Sequence, residues 1–208
     1  MIEIHLFVNP LGMKCYRCEQ DVMRIEHDLE QTKFNYQFIP LINLYTIQDT
    51  LHRYGLSANH QQKISELLYQ ISLDFKAALF QGGKRGRKYL LQLQTELINH
   101  QQSYSFELAT KIADNVGLDL EMFLTDRKSS LARKAFLADQ KMANELKVIR
   151  TATAVVFDTN EPEYGVMIND FDYDSLLECM QNGQLQASQD PQVFADKLGK
   201  QHHSFRII

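Results

Sequence analysis

The sequence predicts an α/β fold interrupted by an all-helical insertion. Three observations carry this prediction. Residues 2–42 give strand, helix and strand signals in turn. Residues 45–146 show helical spacing and no strand signal. From residue 151 the pattern returns to two strands followed by a helix. The bulk properties suit a folded globular protein. The chain has 208 residues, 44% of them hydrophobic and 23% charged. That is one large domain, or one domain with an insertion, whose core needs no covalent staples. The net charge of −4 offers no general attraction for nucleic acid or an anionic membrane. No segment approaches the roughly 20 consecutive apolar residues of a membrane span. The opening MIEIHLFVNP has neither the cationic nor the long apolar region of a secretory signal. Three cysteines do not make a disulfide framework. A cytoplasmic location is expected, with any disulfide transient.

Each element has its own signal. Residues 2–8, IEIHLFV, form an apolar run that stops at Asn9-Pro10 and reads as a buried strand. Residues 15–31 read as a helix, because Cys15, Cys18, Val22, Ile25 and Leu29 fall on one stripe. Residues 34–42, FNYQFIPLI, return to alternation and read as a second strand, parallel to the first across a helical crossover. In the middle block Ile64, Leu67, Leu68 and Ile71 repeat at helical spacing, as do Leu108, Ile112 and Val116. Breaks are expected at Tyr54-Gly55, Gly82-Gly83, His100 to Ser103 and Gly117. TATAVVFD, from residue 151, reads as a strand, TNEPEYG as a turn, and VMIND as the second arm of an antiparallel hairpin. Residues 173–182 read as a short helix closed by Gly183, and a further helix is expected over 190–199. The tail HHSFRII carries no assignable signal. The boundaries that follow are 1–43 with 147–208 for the α/β part, and 44–146 for the insertion.

With the insertion removed, the order β-α-β then β-β-α is that of a thioredoxin-like fold. FVNPLGMKCYRCEQ, at the end of the first strand, resembles the active-site segment of the DsbA family. SFELATKIADNVGLDLEMFLTDRKSSLARKAFLADQKMANELKVIRTATAVVFD is similar to that family's late segment. The resemblance covers nearly the whole chain. It implies a DsbA-like fold, no cofactor, and one of two activities found in cytosolic Gram-positive branches. One is a thiol-disulfide oxidoreductase or dithiol-disulfide isomerase of the FrnE type, acting on protein thiols or disulfides. The other is a non-enzymatic adaptor that delivers the transcription factor Spx to the ClpXP protease. Two positions depart from the family pattern. Counted from the Asn9-Pro10 turn without gaps, the family's leading cysteine falls on Gly12, and Cys15 falls on its second cysteine. The family's cis-proline position is Ala152 in Thr151-Ala152-Thr153, where a trans bond is expected. That loop is the segment the resemblance turns toward substrate.

The two cysteines admit two readings. In one, Cys15 is a nucleophile at a helix N-terminus and Cys18 resolves it, with Lys14 and Arg17 stabilising the thiolate. In the other, both are small apolar residues of the buried stripe. Cys179 reads as structural, and no second C-x-x-C or H-x₃-H is present to complete a metal site. GGKRGRK, residues 82–88, is the one strongly basic cluster. Lys84, Arg85 and Arg87 read either as a contact for an acidic partner or as a solvated turn between helices.

Overall fold

The computed structural model describes residues 2–28, 34–158, 165–169, 174 and 205–207. The chain divides into two compact units. One comprises 1–8, 17–39 and 150–208, and the other 9–16 and 40–149. Apart from the helical residue 174, the expected helices at 173–182 and 190–199, with Gly183 and Cys179, lie outside the described residues.

The first unit holds a five-stranded sheet. Its strands are β1 (Ile2–Val8), β2 (Phe34–Pro40), β3 (Thr153–Asp158), β4 (Gly165–Asn169) and β5 (Phe205–Ile207), in the order β2-β1-β3-β4-β5. β1 runs antiparallel to β3, with Ile2 opposite Asp158 and Phe7 opposite Thr153. β3 and β4 form the antiparallel hairpin, Val155 facing Met167. The tail supplies β5, which pairs with β4 through Ile207 opposite Val166. In the middle of the sheet, Ile4, Leu6, Phe7 and Val8 on β1 and Ala154 to Val156 on β3 are buried. Consecutive buried residues mean that both faces of these strands are covered, which a pleated strand permits only between two layers. Helix α1 (Met13–Asp28) connects β1 to β2. Tyr36 of β2 donates its hydroxyl to Glu26 of α1 at 2.6 Å.

The second unit is helical. It contains α2 (Leu44–Arg53), α3 (Gln61–Phe80), α4 (Gly83–Gln94), α5 (Phe106–Asn115), α6 (Leu120–Asp126) and α7 (Ser130–Glu145). Four of the helix starts are capped by side chains. Asn43 makes a reciprocal capping box with Thr46, and Ser105, Asp119 and Ser129 each accept one backbone N–H of the first turn. α3 is the spine, packed against α2, α4, α6 and α7. Its apolar face, including Leu68, Ile71 and Ala78, shares a core with Tyr89, Leu93, Ile112 and Phe123.

The basic cluster lies differently from its sequence reading. Only Gly82, at φ 118°, belongs to the turn, and Lys84, Arg85 and Arg87 sit inside α4. The reason is packing. A Cβ on Gly86 would meet Leu79 Cα at 2.9 Å, so the missing side chain lets α4 close onto α3.

Two buried ion pairs pin α3. Arg127 grips Asp74 with both arms, Nε to Oδ1 at 2.7 Å and Nη2 to Oδ2 at 3.0 Å. Tyr104 donates its hydroxyl to the same carboxylate, Gln70 adds an amide at 2.9 Å, and Arg127 stacks over Phe106. Burial pushes the Asp74 carboxyl above its usual value, and the guanidinium beside it opposes that shift. Lys76 meets Asp139 of α7 at 2.6 Å. Removal of one partner strands a charge in the core. Arg127→Met is therefore expected to lower the unfolding free energy by about 3–5 kcal/mol in urea titration. The double change Asp74→Leu/Arg127→Met should recover part of that loss.

Candidate functional site

The chain leaves β1 in a tight turn, Asn9-Pro10-Leu11-Gly12, closed by the Gly12 N–H on the Asn9 carbonyl at 2.8 Å. Asn, Pro and Gly stand at the first, second and fourth positions, where a type I turn favours them. α1 starts at once, with the Tyr16 N–H on the Gly12 carbonyl at 2.9 Å. Its first residue is Met13, two residues before the start read from the apolar stripe. The turn sets that boundary, and the stripe begins only where side chains face the core.

Asn9 is fully buried and bonds through every polar group. Its N–H donates to Cys15 Sγ at 3.1 Å, its Oδ1 accepts the Leu11 N–H at 3.0 Å, and its Nδ2 donates to Thr50 Oγ1 at 2.9 Å and the Thr46 carbonyl at 3.3 Å. Thr50 passes its own hydroxyl proton to the Thr46 carbonyl at 2.8 Å. The turn is thereby fastened to α2. The first turn of α1 is held as well, since the Tyr16 hydroxyl lies 2.8 Å from Thr95 Oγ1. Thr46, Thr50, Tyr16 and Thr95 were absent from the sequence reading. Nothing local marks a threonine whose partner lies 37 or more residues away.

Asn9, Gly12 and Cys15 thus form one cluster. Cys15 is 2% exposed and Cys18, one turn further along α1, 6%. Both are thiols, with no disulfide between them. The backbone N–H on Cys15 Sγ is a contact that a thiolate uses better than a thiol, whereas burial withholds the water a thiolate needs. Lys14 and Arg17 are exposed. Gly12 is held to zero side chain: a Cβ there would stand 3.0 Å from both Cys15 Sγ and the Asn9 carbonyl oxygen.

Thr151 to Thr153 lead into β3 in the sheet unit, and one expectation fails there: the Thr151-Ala152 peptide is cis. The trans expectation rested on the intrinsic preference of a peptide not followed by proline. Its surroundings set it instead. Ala152 and Thr153 are buried, Thr153 is paired with both Phe7 and Asn169, and its Oγ1 lies 3.0 Å from the Arg150 carbonyl and 2.6 Å from Asn169 Oδ1.

Truncating the asparagine tests the corner. Asn9→Ala leaves the buried Leu11 N–H without its side-chain acceptor, at about 1–3 kcal/mol, and cuts the tie to Thr50, whose hydroxyl keeps its bond to the Thr46 carbonyl. The expected result is a destabilised protein whose Cys15 reacts faster with Ellman's reagent under native conditions. An unchanged thiol rate would show that Asn9 does not shield the sulfur.

Comparisons with known proteins agree with this architecture. The family model of thioredoxins matches residues 5–179. The ClpXP adapter protein SpxH of Bacillus cereus is 27% identical over 202 residues, covering 86% of this chain and 67% of that protein. Two solved structures share the fold at low identity. The cytosolic disulfide reductase DsbM of Pseudomonas aeruginosa, with GSH, superposes with a TM-score of 0.58 at 14% identity, covering 87% of this chain and 98% of that one. The thiol-disulfide exchange protein alpha-DsbA2 of Wolbachia pipientis gives 0.58 at 14%, covering 87% and 81%. No helix among the described residues is long and apolar enough to cross a membrane. The chain belongs to the thioredoxin family and has its DsbA-like form, a thioredoxin-like fold carrying a helical insertion.

Proposed function

We propose that the chain is a cytoplasmic protein-binding module of the ClpXP-adaptor kind, holding a redox-stress transcription factor such as Spx for delivery to the protease. The observation that carries this reading is the geometry at Gly12. In a disulfide, with an S–S bond of about 2.05 Å, the Cβ of one half sits about 3 Å from the sulfur of the other. A Cβ on residue 12 would stand at that distance from Cys15 Sγ. Residue 12 is also where the family resemblance puts the attacking cysteine. Cys15 therefore keeps the buried half of a dithiol position while the attacking half has no side chain. The relatives named as ClpXP adapters support the same assignment. In it, a protein partner would meet the half-buried Thr151, at the edge of a loop whose Ala152 and Thr153 are buried, and the Lys84, Arg85 and Arg87 face of α4.

A second reading keeps the thiol chemistry. Cys15 lies in the first turn of α1 under a backbone N–H, with Cys18 three residues on. That placement favours an oxidoreductase or isomerase in which Cys15 attacks and Cys18 resolves. The structural likeness to disulfide reductases is consistent with it.

The two readings separate in one set of assays. As an adaptor, Cys15→Ser/Cys18→Ser should still stimulate degradation of the transcription factor by reconstituted ClpXP. The unaltered chain should not reduce insulin, and Gly12→Cys in a Cys179→Ser background should acquire an oxidisable pair with Cys15, read as paired loss of alkylatable thiols. Insulin reduction by the unaltered chain that disappears in Cys15→Ser would hand the function to the second reading.

A further inference from the structure

A groove of about 950 Å³ runs along the helical unit beside the β1–α1 turn. Its floor is apolar, built by Ile64 and Leu67 of α3 and by Leu97 and Ile98. Leu11 and Met13, which flank Gly12 in the chain, also line the groove. We propose that this groove docks an acidic, amphipathic peptide segment of a partner protein. The proposal rests on the protein-binding reading above and names the chemistry of the partner.

Four observations support that occupant. The first is charge. Among the described residues no acidic side chain lines the groove, yet Arg53 and Lys63 do, in a chain whose net charge is −4. Asp49 reaches Arg53 only at 3.9 Å with its own side chain largely in water, an arrangement that neutralises little. Cationic groups set over an apolar floor complement carboxylates flanking apolar anchors. The second is exposure. Tyr54 and Leu56 stand 42% and 36% exposed on the groove. A continuous run of apolar surface around such residues is what a binding partner covers.

The third is shape. His60, Lys63 and Gln101 to Ser103 also border the groove and are exposed, so its mouth is wide. A wide mouth suits an elongated occupant better than a small molecule, which ligand pockets usually bury to roughly 70–90% of its surface. A helix needs to lay down only one face, with anchors three and four residues apart. The fourth is backbone irregularity. A π-helical turn, Thr95–Asn99, follows α4 and presents the neighbours Leu97 and Ile98 to the same groove. Gln101 then adopts φ +54°, a left-handed conformation unusual for a residue with a side chain. Departures of both kinds gather at functional surfaces.

The test is a display library of amphipathic peptides selected on the intact chain and counter-selected on Lys63→Glu/Leu56→Asp. Both altered residues are exposed, so the variant keeps its fold, checked by circular dichroism. Enriched peptides are expected to carry carboxylates beside apolar anchors. By fluorescence anisotropy the best of them should bind the variant at least about tenfold more weakly, and a Lys-for-Glu version of the peptide should lose binding similarly. No enrichment, enrichment of basic or uncharged peptides, or equal affinity for the variant would overturn the proposal. So would light scattering that shows a second copy of the chain occupying the groove. Reconstituted ClpXP degradation distinguishes the two levels. If the unaltered chain delivers its partner and the variant does so equally well, the groove proposal falls and the adaptor reading stands. If acidic peptides bind but the unaltered chain delivers nothing, the adaptor reading falls and the groove stands.

Discussion

The side chain of Asn9 is the constraint on which the candidate site depends. It lies at the end of β1, where the chain must stop being a strand and become a helix within four residues. A buried amide left unpaired costs about 1–3 kcal/mol. Asn9 meets that demand in three directions at once: back to the Leu11 N–H, across to Thr50 and Thr46, and, through its own N–H, forward to Cys15 Sγ. The turn observed here satisfies all three. That geometry brings residue 12 so close to Cys15 that glycine alone fits without displacement. The state of the cysteine corner therefore follows from hydrogen-bond satisfaction at a neighbouring residue.

The helical unit uses the same logic with charges. Asp74 and Lys76 lie two apart on α3, so they project to opposite sides of that helix. One is taken by Arg127 after α6, the other by Asp139 of α7. Each buried charge tolerates one partner placement, since the desolvation cost of several kcal/mol is repaid only in good geometry. A slip of α3 by one residue would break both pairs. Apolar contacts such as those of Leu68 and Ile71 lack the directionality of these pairs. The polar pairs fix the register, and the apolar core supplies most of the free energy.

How much of this could be read beforehand depends on the range of the interaction. The apolar run IEIHLFV and the spacing of Ile64, Leu67, Leu68 and Ile71 are local signals, and they point to the strand and the helix. Gly55 and Gly117, both at positive φ, mark breaks for the same reason. The turn Asn9-Pro10 was legible from its residue types. What it bonds to was not, because Thr46 and Thr50 are chosen by the fold. The glycines of GGKRGRK mislead for a related reason. Gly82 makes a turn, but Gly86 serves contact with Leu79, and sequence shows only that both are glycine. β5 has three residues, too few to display alternation. The cis peptide before Ala152 follows from tertiary surroundings that no dipeptide reveals.

The corner and the groove are physically continuous, because Leu11 of the β1–α1 turn and Met13, the first residue of α1, both line the groove. A carrier that delivers a partner must also release it. A mixed disulfide holds until a second thiol attacks, so its lifetime depends on redox conditions and on access to the sulfur. A groove with a few apolar anchors and exposed cations holds by contacts whose strength sets only a dissociation rate. On the adaptor reading proposed above, glycine at residue 12 takes away the first kind of grip and leaves the scaffold of the second. Asn9 then acquires a role beyond the cysteines: by fixing Leu11 between two hydrogen-bonded turns, it also fixes the surface against which a docked peptide would end.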